Sequence, residues 1–147
     1  MTFRTSSRRR FPAALLLTAV LLTLPAASAT AAQTSRHSAI PRSFCRIDWR
    51  DGTWHVKQLI RCAVQRWNVP GGADKALSIA DRESNFRPRA FNAYSGASGI
   101  YQHLRLYWPG RASTYGFAGW SAFNGRANIM VTIRMVHRLG SWQPWGG

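Results

Sequence analysis

A single glutamate, Glu83, is the first candidate for catalytic chemistry in this chain of 147 residues. It lies in the segment DRESNFRPRAFNAYSGASGIYQH, residues 81–103, and the only other acidic residues are four aspartates, against 20 Lys and Arg. Ordinary glycosidases use two carboxyl groups held about 5 Å or about 6.5 to 9.5 Å apart. A lone carboxyl can instead serve first as general acid and then as general base.

The nearest aspartates do not share a helical face with Glu83. On a helix, Asp81 would lie about 200° around the axis from Glu83, and Asp74 would lie roughly 13 Å along it on the opposite side. Asp48 and Asp51 precede the first predicted helix and would approach Glu83 only through tertiary folding. Only Asp48 and Asp51 could therefore supply a second catalytic carboxylate.

Other reaction types have weaker support. The four histidines, His37, His55, His103 and His137, form no HExxH pair and have no cysteine partners at zinc spacing, so no metal site and no cofactor are predicted. The segment GASGI is not a GxSxG nucleophile motif, because Ile100 holds its fifth position. Ser98 is accordingly predicted to be a turn residue.

Apolar spacing predicts the helices that would position Glu83. Apolar residues recur at helical intervals over 53–67, and the Asn, Pro and Gly residues of 68–72 end that helix. A second helix is expected to begin near Ala73 or Asp74 and to end before Pro88, which places Glu83 in its last turns.

The rest of the chain predicts a loop and two further helices. Residues 85–99 are rich in Asn, Ser, Gly and Pro and predict a loop, followed by a short extended piece at 100–104. Pro109 can open a third helix that runs to Gly116. Asn124 is predicted to cap a last helix, which Gly140 closes, with the apolar stripe Ile129, Met130, Ile133, Val136 and Leu139. The predicted fold class is mainly α, with three or four helices and at most a short β element near the loop.

The N-terminal residues have the order of a secretory signal peptide. Four arginines precede an uncharged stretch from Phe11 to Leu24, and small residues follow it. Those fourteen residues are fewer than the roughly 20 that span a bilayer, so no stable membrane anchor is predicted. The expected organisation is a signal peptide at 1–32, a flexible leader at 33–43 and one domain at 44–147, in a secreted, extracellular and monomeric protein.

Composition restricts the partners and the redox environment. Without residues 1–32 the chain keeps sixteen basic and five acidic residues, a balance of +11, which attracts polyanions such as anionic cell-wall polymers. Export and the absence of nucleic-acid-binding motifs argue against a nucleic-acid partner. Cys45 and Cys62 are the only cysteines and are predicted to form a disulfide. Closing that loop would stabilise the fold by roughly 3 kcal/mol.

The segment around Glu83 resembles the catalytic segment of soluble lytic transglycosylases, a family of the lysozyme-like superfamily. That family has an apolar helix ending in Glu-Ser, a Pro four residues after the Ser, a Gly-Ala-x-Gly-aliphatic-x-Gln motif and a later Asn-Ile that opens a helix. The matching residues are Glu83-Ser84, Pro88, Gly96 to Gln102 and Asn128-Ile129. The resemblance covers roughly residues 73–139 and implies a lysozyme-like α+β fold.

The resemblance also implies an activity and a site. Glu83 would be the catalytic acid that cleaves the β-1,4 bond between N-acetylmuramic acid and N-acetylglucosamine in peptidoglycan strands. It would then act as the base that lets the muramyl 6-hydroxyl close to a 1,6-anhydro product. Residues expected to contact substrate are Gln102, Tyr101, Ser84 and Asn92.

The chain departs from the family pattern at several positions. The distance from Glu83 to the Gly-Ala motif is one residue longer than is typical, and Asn92 or Ala93 falls near the place of a family Ser. Thr132 and Met135 stand where Gly and Tyr are common. These changes affect cleft contacts, so a sugar is expected to stack on one of the tryptophans Trp108, Trp120, Trp142 and Trp145.

Three other functions fit the same sequence. A muramidase would hydrolyse the same bond with water. A non-catalytic binder of cell wall or polyanions would keep the fold without needing the carboxyl of Glu83. Direct membrane disruption by the basic surface would weaken with salt.

Overall fold

The two helices that precede the glycine-rich loop lie where apolar spacing predicts them. The computed structural model describes residues 45–146, all within one structural unit of the chain. The predicted signal peptide and flexible leader lie outside the described residues. Helix α1 spans Thr53–Arg66 and helix α2 spans Gly72–Ser84, with Glu83 in the last turn of α2 as predicted.

Helices α3 and α4 follow the loop. α3 spans Trp108–Thr114, with Pro109 in its first turn, and α4 spans Gly125–Leu139. The Asn124 side chain accepts a hydrogen bond from the amide of Ala127, and Gly140 ends α4 in the left-handed conformation at φ 64°, so both predicted caps are confirmed.

Two short strands and two 3₁₀ turns complete the described fold. Strand β1, Ala97–Ser98, pairs antiparallel with β2, His103–Leu104, in the register Ala97 to Leu104 and Ser98 to His103. The 3₁₀ turns span Trp49–Asp51 and Gln143–Trp145. The predicted extended piece at 100–104 is therefore the turn and second strand of a hairpin.

Helix α4 forms the centre of the core. α1 packs against both α2 and α4, and α3 packs against α4. The stripe of Ile129, Met130, Ile133 and Val136 is fully buried, whereas Leu139 is 55% exposed. His137 to Gly140, at the end of α4, are all exposed.

The predicted fold class is confirmed. The four helices and one small sheet of residues 45–146 are a mainly α architecture with a short β element. No helix in this part of the chain is long and apolar enough to cross a membrane.

The predicted disulfide is also confirmed. Cys45 and Cys62 are bonded, with their Cα atoms 5.9 Å apart, so the segment before α1 is fastened to the middle of that helix. Arg126 on α4 donates to the carbonyl of Cys45 at 2.8 Å, which ties the same point to a second helix.

Replacing both cysteines by serine should lower the free energy of unfolding by about 3 kcal/mol, since the unfolded chain regains the entropy of an open loop. Denaturant titration with and without reductant measures this. Reductant should destabilise the wild type and leave the double variant unchanged. Equal stability of the two proteins without reductant would contradict the expectation.

Candidate active site

Glu83 presents a partly exposed carboxylate at the end of α2. Its side chain is 24% exposed, and Nη2 and Nε of Arg82 donate to its Oε1 atom at 2.9 and 3.3 Å. The other oxygen, Oε2, accepts no hydrogen bond from residues 45–146, so it is the oxygen open to a ligand. Arg82 also donates to the carbonyl of Trp145, which anchors the guanidinium to the C-terminal 3₁₀ turn.

Ser84 fastens the glycine-rich loop to the residue beside Glu83. Its side chain is buried, and its hydroxyl lies 2.7 Å from the carbonyl of Ile100 and 3.3 Å from that of Ala80. Because the hydroxyl has a single proton to donate, and the carbonyl of Ile100 is the nearer acceptor, the main hydrogen bond is the one to Ile100. The bond joins two motifs that are 16 residues apart in the chain. Ser84 was expected to contact substrate, and the structure places its hydroxyl inside the protein.

Left-handed residues turn the chain sharply away from α2. Asn85 and Phe86 have φ of 51° and 59°, and their amides donate back to Asp81 and Ala80 at 2.7 and 3.3 Å. These two bonds satisfy carbonyl groups in the last turns of α2. Glu83 therefore lies in the last turn of α2, one residue before the helix ends.

Gln102 lies on the turn of the hairpin with one amide oxygen free of protein partners. Its φ is 47°, a conformation unusual for a residue with a side chain, and its amide Nε2 donates to Gly99 and Ala90 at 2.8 and 3.3 Å. Its Oε1 accepts no hydrogen bond within the described part of the chain. Gln102 follows Ile100 by two residues, so the contact between Ser84 and Ile100 brings the segment of Gln102 alongside the end of α2.

Tyr101 is a core residue. It has no exposed surface, its hydroxyl donates to the carbonyl of Ala76 at 3.0 Å, and burial raises its pKa. Trp142 stacks on its ring at a centroid distance of 6.2 Å, and the indole of Trp145 donates to its carbonyl at 2.8 Å. The predicted substrate contact of Tyr101 is thus replaced by an anchor for the loop.

Asn128 holds the loop from the other side. Its Oδ1 accepts from the amide of Tyr101 at 2.9 Å, and its Nδ2 donates to the carbonyls of Ala122 and Ser98 at 2.9 and 3.3 Å. The side chain is fully buried on α4. The Asn of the late Asn-Ile motif therefore sets the shape of the loop.

A buried polar chain extends this support. Arg111 donates to Nδ1 of His103 at 2.9 Å, so Nε2 of His103 carries the proton and donates to Thr132 at 2.7 Å. Thr132 in turn donates to the carbonyl of Asn128 at 2.8 Å. This network of hydrogen-bonded side chains was not predicted from the sequence. The only signal for it is that Thr132 lies four residues after Asn128, on the same face of α4.

Stability should depend on pH through His103. Burial and the charge of Arg111 lower its pKa from 6.5 to about 3, so protons bind preferentially to the unfolded chain. The contribution of His103 to the free energy of unfolding is therefore complete above about pH 6.5 and is lost as the pH falls towards 3. At pH 5 the loss should be about 2 kcal/mol.

Denaturant titrations at pH 7 and pH 5 would measure that loss. His103→Gln keeps a hydrogen-bond donor and an acceptor but does not titrate. Between pH 7 and pH 5 its free energy of unfolding should therefore fall by about 2 kcal/mol less than that of the wild type. His137→Gln, at an exposed position, is the control. An unchanged loss in His103→Gln would contradict the assignment.

The other residues expected to contact substrate, Asn92 and four tryptophans, lie at the surface or in the core. Asn92 is exposed, and its Oδ1 accepts from the amides of Tyr94 and Ser95, so it shapes the loop before β1. Of the four tryptophans expected to stack on sugar, only Trp120 is substantially exposed, at 47%; Trp108, Trp142 and Trp145 are buried.

No family model, curated protein or solved structure matches this chain. The resemblance to lytic transglycosylases thus stays a prediction from the motifs. No group of three potential metal ligands occurs among residues 45–146.

Two grooves of the described surface lie beside the loop that follows Glu83. They have volumes of about 590 and 570 Å³, and they share Trp49, Arg50 and Arg89 in their walls. Two smaller ones, of about 320 and 310 Å³, lie against Trp67 and against Trp108. Glu83 lines none of these four grooves.

Proposed function

We propose that this protein is a peptidoglycan lytic transglycosylase that cleaves the bond between N-acetylmuramic acid and N-acetylglucosamine and leaves a 1,6-anhydro end. The observation that supports it most is the hydrogen bond from Ser84 to the carbonyl of Ile100. It joins the Glu-Ser motif to the glycine-rich loop, so the ordered motifs of the sequence form one structural unit around a single partly exposed carboxyl.

The reaction needs one carboxyl group. Glu83 in its acid form gives a proton to the glycosidic oxygen as the bond from that oxygen to C1 breaks. The resulting carboxylate then takes the proton of the muramyl 6-hydroxyl as its oxygen bonds to C1. Glu83 ends in the form in which it began, and no water is consumed.

The surroundings of Glu83 suit this double role. Arg82 holds Oε1, which leaves Oε2 to exchange the proton with substrate. Oε1 of Gln102, on the loop fastened beside Glu83, can accept from a sugar hydroxyl or acetamido group. Asp81 projects from another side of α2 and is exposed, so it does not complete a glycosidase pair with Glu83.

Product mass tests the proposal. Purified sacculi digested with the protein should release muropeptides with anhydro ends, which are lighter by one water than hydrolytic products. Reducing ends alone would show that water attacks C1 and that the protein is a muramidase. Undigested sacculi would contradict both activities.

A further inference from the structure

The two grooves that share Trp49, Arg50 and Arg89 form one basic surface, which we call the arginine groove. Its charged residues are Arg50, Arg87 and Arg89, and no acidic side chain of residues 45–146 lines it. With three arginines and no carboxylate in its walls, the groove has a local excess of positive charge. Its ligand should therefore carry negative charge.

Two of these guanidinium groups are available to a ligand. Arg89 makes no hydrogen bond or ion pair within the described part of the chain. Arg50 pairs with Asp48 at 3.3 Å, but both side chains are more than half exposed, so this pair has little net strength and can be exchanged. Arg50 also lies 4.4 Å over the ring of Trp49, which restricts its orientation. Planar guanidinium groups bind carboxylates through two parallel hydrogen bonds.

The walls between the arginines are apolar. Val56 and Phe86 are buried beneath the groove, Pro88 and Ala90 are half-buried, and Phe91 is 59% exposed. Such walls gain free energy only from a ligand with alkyl or ring surface. A plain phosphate polymer has little of that surface, whereas a peptide with carboxylates and alkyl side chains has both.

The position of the groove adds a constraint on distance. Phe86 follows Glu83 by three residues, so their Cα atoms are at most about 11 Å apart. A peptide of four residues spans up to about 13 Å. A peptide joined to a sugar at Glu83 is therefore long enough to reach the part of the groove that Phe86 lines.

We propose that the arginine groove binds the peptide stem carried by muramic acid, with Arg50 and Arg89 pairing with stem carboxylates and the apolar walls contacting its alkyl side chains. This inference rests on the proposed function and names the part of the substrate that makes the strand bind.

Binding to an inactive protein tests the groove separately from catalysis. The full chain carrying Glu83→Gln is titrated with soluble glycan strands that keep their stems and with strands stripped of stems by an amidase. Adding Arg50→Gln and Arg89→Gln should weaken binding of stem-bearing strands by about tenfold or more. Binding of stripped strands should change less than about twofold.

A matched control removes the same charge elsewhere. Arg61 and Arg66 are exposed on α1, and neither lines the groove. The double variant Arg61→Gln and Arg66→Gln should bind stem-bearing strands within about twofold of its parent. Equal weakening by both double variants, equal affinity for the two kinds of strand, or displacement of the stems by an alditol phosphate polymer would overturn the proposal. Failure of the transglycosylase function itself would be recognised separately, as missing anhydro products from the protein with Glu83 intact.

Discussion

Glu83→Gln should lower the rate of glycan cleavage by about 10²- to 10⁴-fold. Glutamine has the shape of glutamic acid but cannot give or take the proton that the reaction moves. Its amide oxygen can still accept from Arg82, so the end of α2 should keep its structure. The rate of muropeptide release from sacculi, with a melting curve as a check on folding, measures the effect.

The matched control is Asp81→Asn. It removes the same charge from the same helix two residues earlier, at an exposed position, and should change the rate less than about twofold. If neither protein releases muropeptides and Glu83→Gln still acts on cells or sacculi like the wild type, the protein is a binder or a membrane-active protein. Salt distinguishes these two, because disruption by a basic surface weakens as salt rises.

Gly99→Ala should lower the free energy of unfolding by about 4 kcal/mol or more and should abolish activity. Gly99 has φ of 80°, and a Cβ there would overlap the carbonyl of Ala122 and the side-chain amide of Asn128. Neither group can move freely, since Asn128 is buried and holds the loop at Tyr101. The new methyl group would therefore break the hydrogen bonds that shape the loop.

Gly119→Ala separates backbone strain from this overlap. Gly119 has nearly the same φ, 77°, but no atom lies within 4 Å of the place of its Cβ. Gly119→Ala should lower the free energy of unfolding by only about 1 to 2 kcal/mol, the usual cost of the left-handed conformation for an L-residue. Denaturant titration of both variants gives the comparison, and similar losses would contradict the role assigned to the packing around Gly99.

Local chemistry predicted the helices and their ends. Apolar intervals, Asn124, Gly140 and the position of Pro88 identify where α1, α2 and α4 lie, because those signals act within a few residues. Cys45 and Cys62 were predictable for a similar reason, since no other cysteine competes for either. Leu139 is exposed although the rest of the apolar stripe is buried. Burial depends on which elements cover a helix, and the sequence of the helix does not contain that information.

The support of the loop was not predictable in the same way. Tyr101 and Ser84 look like polar site residues in the sequence, but both hydrogen-bond to main-chain carbonyls inside the protein. His103 and Thr132 meet across 29 residues of chain. Motif spacing identifies which residues belong to a site, whereas the partners that orient them depend on tertiary contacts.

The clamp on Tyr101 has a consequence for how the protein matures. Its amide is held by Asn128 and its carbonyl by Trp145, residues made 27 and 44 positions later. As the polypeptide leaves the ribosome, the hairpin therefore lacks one or both of these hydrogen bonds until Trp145 has been translated. A chain that stops before Trp145 should therefore still form its helices but lack one of the two hydrogen bonds that hold Tyr101.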